Sequence, residues 1–283
     1  MDVTSLGLRT NLMIVTLAGG QVEDRGEYVV ARSPDNPTFW WGNFLALPWP
    51  PQPEEVSGWL DTFAAELPTA AHRTFALDSA PEPAGGLATS ASGTATAWQA
   101  PWTSAGFTSW SDSVLVAESV REPVHVNTEA TYRPLASEAD WAQLVELRCA
   151  NEDDHEPAAF RVFIEASVRG IRRMVADGHG QWWGAFIGGR LLSTMGLFTD
   201  GSGVARYQNV DTHPDARRLG LAGTLAYRVG RWGLAELGAR QVVIVAEPAG
   251  MAIALYRQVG FVDAEPVHQL EKAPPGDAPT PAP

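Results

Sequence analysis

The sequence has one cysteine, Cys149, and one lysine, Lys272, among its 283 residues. A single cysteine excludes an intrachain disulfide and a thiolate-rich metal site. A nucleotide-binding loop of the G-x-x-x-x-G-K-S/T type needs a lysine inside its motif, and the sequence contains no such motif. The H-E-x-x-H pair of zinc enzymes and the G-x-S-x-G elbow of hydrolases are also missing. These absences exclude a P-loop nucleotidase, and we expect no bound metal.

Positive charge is scarce as well. Twenty basic residues stand against 33 acidic ones, which gives a net charge of −13 and argues against nucleic acid or an anionic membrane as the main partner. The longest apolar runs, such as 12–18, are too short to span a bilayer, and the first residues lack the basic stretch of a secretion signal. We therefore expect a cytoplasmic protein with a well-filled core, since hydrophobic residues make up 45% of the chain.

Three changes in composition divide the chain. Residues 80–97 are nearly all small residues and proline, which predicts a long flexible loop. A polar stretch at 121–127 separates a shorter N-terminal half from a longer C-terminal half. The end of the chain, 273–283, holds five prolines and is predicted to be disordered. We expect domains at 1–125 and 126–272, followed by this tail.

The C-terminal half has an alternating pattern of strands and helices. After a strand over 131–135, Ser137 is expected to cap a helix, with Asp140 at its third position. In the last helix, we expect Met251, Leu255 and Val259 to face the core. The other predicted elements are a helix over 157–176, a hairpin turning at Gly188 and Gly189, strands over 204–212 and 241–246, and a helix from 221 to Gly238.

A glycine-containing turn follows the strand that ends near Thr212. It contains the pattern R-x-x-G-x-A at 217–222, and Gly220 and Gly223 lack side chains, so several backbone N–H groups can converge on an anion at a helix N-terminus. Between residues 203 and 240 there are six arginines and three acidic residues, an excess of positive charge in an acidic chain. We expect a polyphosphate to bind here. The alternative is a turn that uses glycine only for close packing.

A second pattern, A-x-x-L-Y-x-x-x-G-F, occupies 252–261, about thirty residues after the loop. Together with R-x-x-G-x-A and the order of elements over 131–271, it resembles the GNAT superfamily of N-acetyltransferases across essentially the whole C-terminal half. The resemblance implies a mixed α/β (α+β) fold with a central sheet flanked by helices. It also implies acetyl-CoA as the acyl donor.

The resemblance carries roles to particular positions. The strand backbone over 210–212 is expected to pair with the pantetheine arm, and the loop over 217–223 to cradle the pyrophosphate. Tyr256 is expected to protonate the departing thiolate, a role that a phenol can fill; the alternative is an ordinary interface tyrosine. The expected cofactor-binding residues are Val210, Asp211, Thr212, Arg217, Arg218, Leu219, Gly220, Leu221, Ala222, Gly223 and Thr224.

The sequence departs from the family pattern in two places. Ala249 stands where members often have asparagine, and Arg206–Gln208 stand where some members have a catalytic glutamate. The general base is therefore open, with water or Glu247 as candidates. The carboxylates of the segment after the first helix, Glu152 and Asp154, are expected with Glu247 to bind a cationic amine, because this segment borders the acceptor site in the family. The alternative for the segment is a solvated loop.

The N-terminal half is similar to a degenerate copy of the same unit. Residues 39–48 parallel 205–214, and Asn43 matches Asn209. A helix over 55–67 and strands over 73–77 and 113–117 follow in the same order. However, prolines at 50, 51 and 53 occupy the loop position and lack the N–H donors that it needs, and no pair of opening helices is evident. We expect a supporting domain.

These observations predict an N-acetyltransferase that moves an acetyl group to a primary amine by direct attack. The acceptor is expected to be a small-molecule amine or a protein N-terminus, and the protein a monomer or homodimer. The alternative is a non-catalytic acyl-CoA-binding regulatory protein that has kept the cofactor site. A purely structural module conflicts with the intact loop.

Overall fold

The computed structural model describes residues 1–80, 98–152 and 156–274. The described chain divides into two compact units. The first comprises Met1–Val114, Glu247–Ala249 and the residues from Glu265 onward, and the second comprises Leu115–Ala246 and Gly250–Ala264. The loop predicted at 80–97 and the tail predicted at 273–283 lie almost entirely outside the described residues.

The division differs from the boundary expected at residue 125, which lies inside the second unit. The last strand also contributes its final residues to the first unit. Local composition marks a polar stretch, but the unit to which a strand belongs depends on its pairing partners, which are distant in sequence.

The first unit is a sheet with helices. Its strands lie in the order β1-β2-β3-β4-β11, with β3 and β4 parallel and the other neighbours antiparallel. All four residues of β3 are buried, as expected for a strand covered on both faces. The elements are α1 (Leu6–Leu17), β1 (Gln21–Asp24), β2 (Val29–Arg32), β3 (Phe44–Leu47), α2 (Val56–Glu66), β4 (Arg73–Leu77), α3 (Ala100–Ser104), β5 (Thr108–Ala117), of which Leu115–Ala117 belong to the second unit, and the end of β11 (Val262–Lys272).

In the second unit, the strands lie in the order β10-β9-β8-β7-β6, and only β9 and β10 are parallel among the pairs described. Its core includes Leu225 and Val229 of α6 packed with Tyr207 and Val242 of the sheet. The elements are β6 (Thr131–Pro134), α4 (Glu138–Cys149), α5 (Pro157–Ala176), β7 (Gly180–Ile187), β8 (Arg190–Phe198), β9 (Val204–Thr212), α6 (Leu221–Ala235), β10 (Gln241–Ala246) and α7 (Met251–Val259).

Local signals predicted these elements well. The Ser137 hydroxyl accepts a hydrogen bond of 3.1 Å from the Asp140 amide, and the Asp140 carboxylate accepts one of 3.1 Å from the Ser137 amide, which confirms the capping box. Gly188 and Gly189 have φ values of 59° and 81°, as a two-residue hairpin turn requires. Each unit also contains a parallel strand pair connected through a helix, β3-α2-β4 and β9-α6-β10, as the predicted repeat requires.

The N-terminal half opens with one helix, α1, followed directly by β1, and not with a pair of helices. The expectation for the last helix of the C-terminal half was wrong. In α7, Met251 is 93% exposed, and the buried residues are Ile253, Tyr256 and Val259. This helix carries two apolar stripes, and the tertiary partners decide which one is buried. None of the described helices is long and apolar enough to cross a membrane.

Candidate active site

The turn between β9 and α6 presents backbone amides at a helix N-terminus. Arg218 and Gly220 both have left-handed backbone, with φ values of 65° and 77°. The first intrahelical bond runs from the Thr224 amide to the Gly220 carbonyl at 3.1 Å, so the amides of the preceding turn have no acceptor within the helix. Residues 217–219 are exposed. The turn therefore offers accessible donors and two arginines to an anion.

One side of this turn is covered by the polar stretch that follows β5. A Cβ at Gly220 would lie 2.7 Å from the carbonyl oxygen of His125, so glycine is required there by close approach as well as by φ. Asn127 donates from Nδ2 to the Leu219 carbonyl at 2.9 Å, and its amide donates to Thr224 Oγ1 at 2.9 Å. The buried Thr224 hydroxyl in turn donates to the Gly220 carbonyl at 2.9 Å. Asn127 and Thr224 thus hold the turn in shape.

The backbone of β9 is irregular just before the turn. Gly196 of β8 pairs with Gln208, but Thr194 pairs with Asp211, so β9 has one extra residue over this stretch. Asn209, with a φ of 39°, lies in this bulge. Within the described residues, the parallel pairing of β9 with β10 runs from Val204 to Arg206. The later residues of β9, including 210–212, are free of that ladder, as a ligand-pairing strand requires.

Tyr256 lies on the buried face of α7. Its side chain is 4% exposed, and its ring centroid is 6.2 Å from that of Phe261. Burial raises the pKa of Tyr256, and the negative charge of Asp211 raises it further. The hydroxyl therefore stays protonated at neutral pH and can act only as a donor until a strongly basic group forms beside it. The neighbouring Tyr207 hydroxyl is already committed, because it donates to the Ala226 carbonyl at 2.7 Å.

The side chain of Asp211 is a further feature of this site. Its Oδ2 is buried and has no hydrogen-bond partner among the described residues. The nearest opposite charge is Arg148 of α4, whose Nε lies 3.7 Å from Oδ2. Burial raises the pKa of Asp211, and Arg148 lowers it in part.

The predicted acceptor-binding residues have different positions. Glu152 follows α4 and is half-buried. Its neighbour Asn151 accepts a hydrogen bond of 3.3 Å from Arg217, which links this segment to the amide-lined turn. Glu247 belongs to the first unit, whereas Glu152 belongs to the second. Asp154 lies outside the described residues. Among the residues that the structure does describe, no group of three His, Cys, Asp or Glu side chains is arranged to hold a metal ion.

The sequence of this second unit matches a known family. Residues 141–261 match the Acetyltransferase (GNAT) family, and this span contains the bulged strand, the amide-lined turn and Tyr256. The chain carries a GNAT acetyltransferase domain. No significant match is found among curated proteins.

Solved structures extend the likeness beyond the GNAT domain. A GCN5-related N-acetyltransferase from Kribbella flavida matches 96% of this chain and 97% of its own, with a TM-score of 0.64 at 14% identity. One from Sphaerobacter thermophilus matches 88% of this chain and 82% of its own, with a TM-score of 0.52 at 17% identity. A tandem GNAT protein from the clavulanic acid biosynthesis pathway matches 99% of this chain and 91% of its own, with a TM-score of 0.53 at 13% identity. The fold is therefore a mixed α/β GNAT fold over the described residues of both units.

The second unit brings together most of the predicted site. One strand–helix turn contains the strand end at 210–212, the loop at 217–223 and Thr224. Tyr256 is close enough to Asp211 for the charge of Asp211 to raise the pKa of the tyrosine. Sequence reasoning missed the supporting Asn127 and the Asp211 side chain. A carboxylate inside a strand that is otherwise half-buried was the available signal for Asp211, because such a group is seldom placed there without a partner or a task.

Proposed function

We propose that the protein is an N-acetyltransferase that uses acetyl-CoA and acts on a primary amine. The observation that carries this proposal is the continuity of three features in the GNAT domain: strand backbone at 210–212 that is paired with β8 but lies beyond the ladder with β10, an amide-lined turn directly after it, and a buried tyrosine near that strand. A donor with an extended arm and a terminal polyphosphate fits this arrangement.

The turn is suited to the diphosphate of CoA. Left-handed backbone at Arg218 and Gly220 is of the kind that lets successive amides converge on an anion, and the exposed side chains of Arg217 and Arg218 add positive charge. Glycine at 220 leaves no side chain between the backbone and its neighbours. Acetyl-CoA would supply an activated thioester at the end of the arm.

The chain's own residues would then perform the transfer. The bulge at Asn209 interrupts the regular pairing of β9 with β8, and backbone amides beside it would donate to the thioester carbonyl as negative charge develops on its oxygen. Tyr256 would donate its proton to the departing thiolate. Glu152 and Asp154 would attract a cationic acceptor, and a small-molecule amine or a protein N-terminus would both satisfy this requirement.

The test is release of free thiol from acetyl-CoA in the presence of propylamine, hydroxylamine, an amino acid and a peptide with a free N-terminus. Calorimetry with CoA runs in parallel. Amine-dependent thiol release would support the proposal. CoA binding without thiol release from any acceptor would instead favour a non-catalytic acyl-CoA-binding protein, and the absence of CoA binding would contradict both.

A further inference from the structure

The side chain of Asp211 is in an unusual position for a structural residue. Its Oδ2 is inaccessible to solvent, and no described residue donates a hydrogen bond to it. Arg148 Nε, at 3.7 Å, is near enough to interact electrostatically but too far for a hydrogen bond. Leaving a buried carboxylate oxygen without a donor costs stability. The position of this oxygen is therefore not explained by a stabilising hydrogen bond within the fold.

The groups around the Asp211 carboxylate indicate a function for its buried oxygen. The charged and titratable groups that face it are Arg148 from α4 and Tyr256 from α7. From β8, Ser193 donates to the Asp211 carbonyl at 2.9 Å and leaves the carboxylate alone. The helix that carries Arg148 ends at Cys149 and leads into the segment of Glu152. Asp211 is thus flanked by the predicted proton donor and by the end of the helix that precedes the predicted acceptor segment.

Asp211 also lies at the right place along β9. It follows the bulge at Asn209 and belongs to the stretch without a partner on β10. Its main chain is therefore part of the backbone proposed to pair with the pantetheine arm, and its side chain projects from that same stretch of strand.

We propose that Asp211 is the general base of the GNAT domain, taking a proton from the ammonium group of the acceptor. This inference rests on the proposed function. It replaces water and Glu247 as the destination of that proton, and it defines the acceptor as an amine that arrives protonated.

The protons balance in the following way. Asp211 takes one proton from the ammonium, and the freed nitrogen lone pair forms a C–N bond to the thioester carbon. The C–S bond then breaks, and Tyr256 gives its proton to the sulfur. The nitrogen still carries one proton more than in the amide product, and it gives that proton to the Tyr256 phenolate, which restores the neutral tyrosine. Asp211 finally releases its proton to water, so the products are the amide, CoA thiol and one proton.

The electrostatics are consistent with this role. Burial raises the pKa of Asp211, which makes the carboxylate a stronger base, while the nearby charge of Arg148 lowers that pKa in part. Removing the Arg148 charge would raise the pKa of Asp211 further.

The test compares two nucleophiles. Propylamine arrives protonated at neutral pH and needs a base, whereas hydroxylamine is largely unprotonated and does not. In Asp211→Asn, we expect kcat/KM for propylamine to fall about 10²–10⁴-fold, transfer to hydroxylamine to fall far less, and CoA affinity by calorimetry to stay within about twofold. Asp177→Asn, which alters an exposed carboxylate at the end of α5, serves as the control and should change none of these values.

The pH profile provides a second, independent readout. The acid side of the wild-type profile for propylamine should report one protonation. In Asp211→Asn the rate should instead keep rising with pH toward the pKa of the amine. In Arg148→Gln the acid side should move to higher pH, which tests the idea even if Asp211→Asn folds poorly.

The outcomes separate this inference from the proposed function. Equal losses with both nucleophiles, or weakened CoA binding, would make Asp211 a structural residue. Unchanged propylamine kinetics in Asp211→Asn, or a wild-type enzyme that acetylates hydroxylamine but not propylamine, would overturn the inference and leave acetyl transfer standing. A wild-type protein that acetylates neither probe nor any other acceptor would overturn the proposed function itself.

Discussion

Tyr256 and Glu271 are both removed from solvent, and burial raises the pKa of each. Because burial disfavours the charged form, both groups favour their neutral, protonated state. The consequences differ with the partners. The pKa of Tyr256 is raised further by the nearby charge of Asp211, whereas Glu271 Oε1 accepts a hydrogen bond of 2.6 Å from Trp41 Nε1 in the first unit. The first effect bears on catalysis and the second on stability.

Removing the Tyr256 hydroxyl tests the proton donor. Tyr256→Phe should reduce kcat about 10²–10⁴-fold, the usual contribution of a positioned general acid, while CoA affinity stays within about twofold because the ring still fills the core. Thiol release at saturating acetyl-CoA and calorimetry measure the two quantities. Tyr227→Phe in α6, which removes a hydroxyl that accepts a hydrogen bond of 3.3 Å from Arg231, is the matched control and should leave kcat unchanged. A kcat of Tyr256→Phe within about threefold of wild type, with chemistry rate-limiting, would assign the proton to water.

Glu271 should make the first unit less stable as pH rises. Burial raises its pKa from 4.5 to about 7, so between these values the folded state holds a proton that the unfolded state has lost. The free energy of unfolding therefore falls with rising pH across this window, by at most about 3 kcal/mol at 1.36 kcal/mol per pKa unit. Glu271→Gln cannot ionise and should remove this dependence.

Urea denaturation at the two ends of that window measures the effect. The exposed Glu122→Gln serves as the control and should behave as wild type. Parallel pH dependences in wild type and Glu271→Gln would show that Glu271 does not titrate in this range.

At the scale of helices and strands, features that depend on neighbouring residues could be predicted from the sequence, and features that depend on residues far away in the chain could not. The capping pair at Ser137 and the glycine turn at Gly188 are set by neighbouring residues, and both were predictable. The bulge at Asn209 depends on how β9 registers with β8, and the support of the turn by Asn127 depends on a segment almost a hundred residues earlier in the chain. Neither leaves a local trace. The roles of the site residues, beyond their placement, remain predictions.

The turn before α6 provides a prediction with a close internal control. Gly220 and Gly178 have almost the same backbone, with φ values of 77° and 79°, but a Cβ at Gly220 would lie 2.7 Å from the His125 carbonyl oxygen and one at Gly178 would meet nothing within 4 Å. Both alanine variants should lose about 1–2 kcal/mol of stability from the left-handed backbone. Only Gly220→Ala should also lose CoA affinity, by about tenfold or more, because the turn must shift. Equal CoA affinities in the two variants would exclude the turn as the CoA site.

On the scale of the whole molecule, the two units share a strand–helix–strand pattern but differ at the helix start. In the first unit, Gln52 and Glu55 form a capping box before α2, in which the Glu55 carboxylate accepts from the Gln52 amide at 2.8 Å, and prolines occupy positions 50, 51 and 53. The three prolines have no N–H to offer an anion, and the Gln52 amide is already used. The second unit keeps its amides open.

This difference predicts one CoA per chain. Calorimetric titration of the full chain should give a stoichiometry near one CoA per chain. Gly220→Ala should lower the affinity of all the binding observed, and not of only one of two binding events. Two equivalent sites would contradict the assignment of the first unit as a supporting domain. A second, weaker event that survives in Gly220→Ala would place CoA binding in the first unit as well.

The pairing of β11 with β4 has a consequence for the order in which the two units can fold during synthesis. Residues 268–272 complete the sheet of the first unit by pairing with residues 73–77. All residues of the second unit, by contrast, precede Glu265. On a ribosome, which delivers the N-terminus first, the unit that emerges first must wait with an open sheet edge until residues 268–272 have been made. The unit that begins later can close its own fold before then, so assembly runs opposite to synthesis.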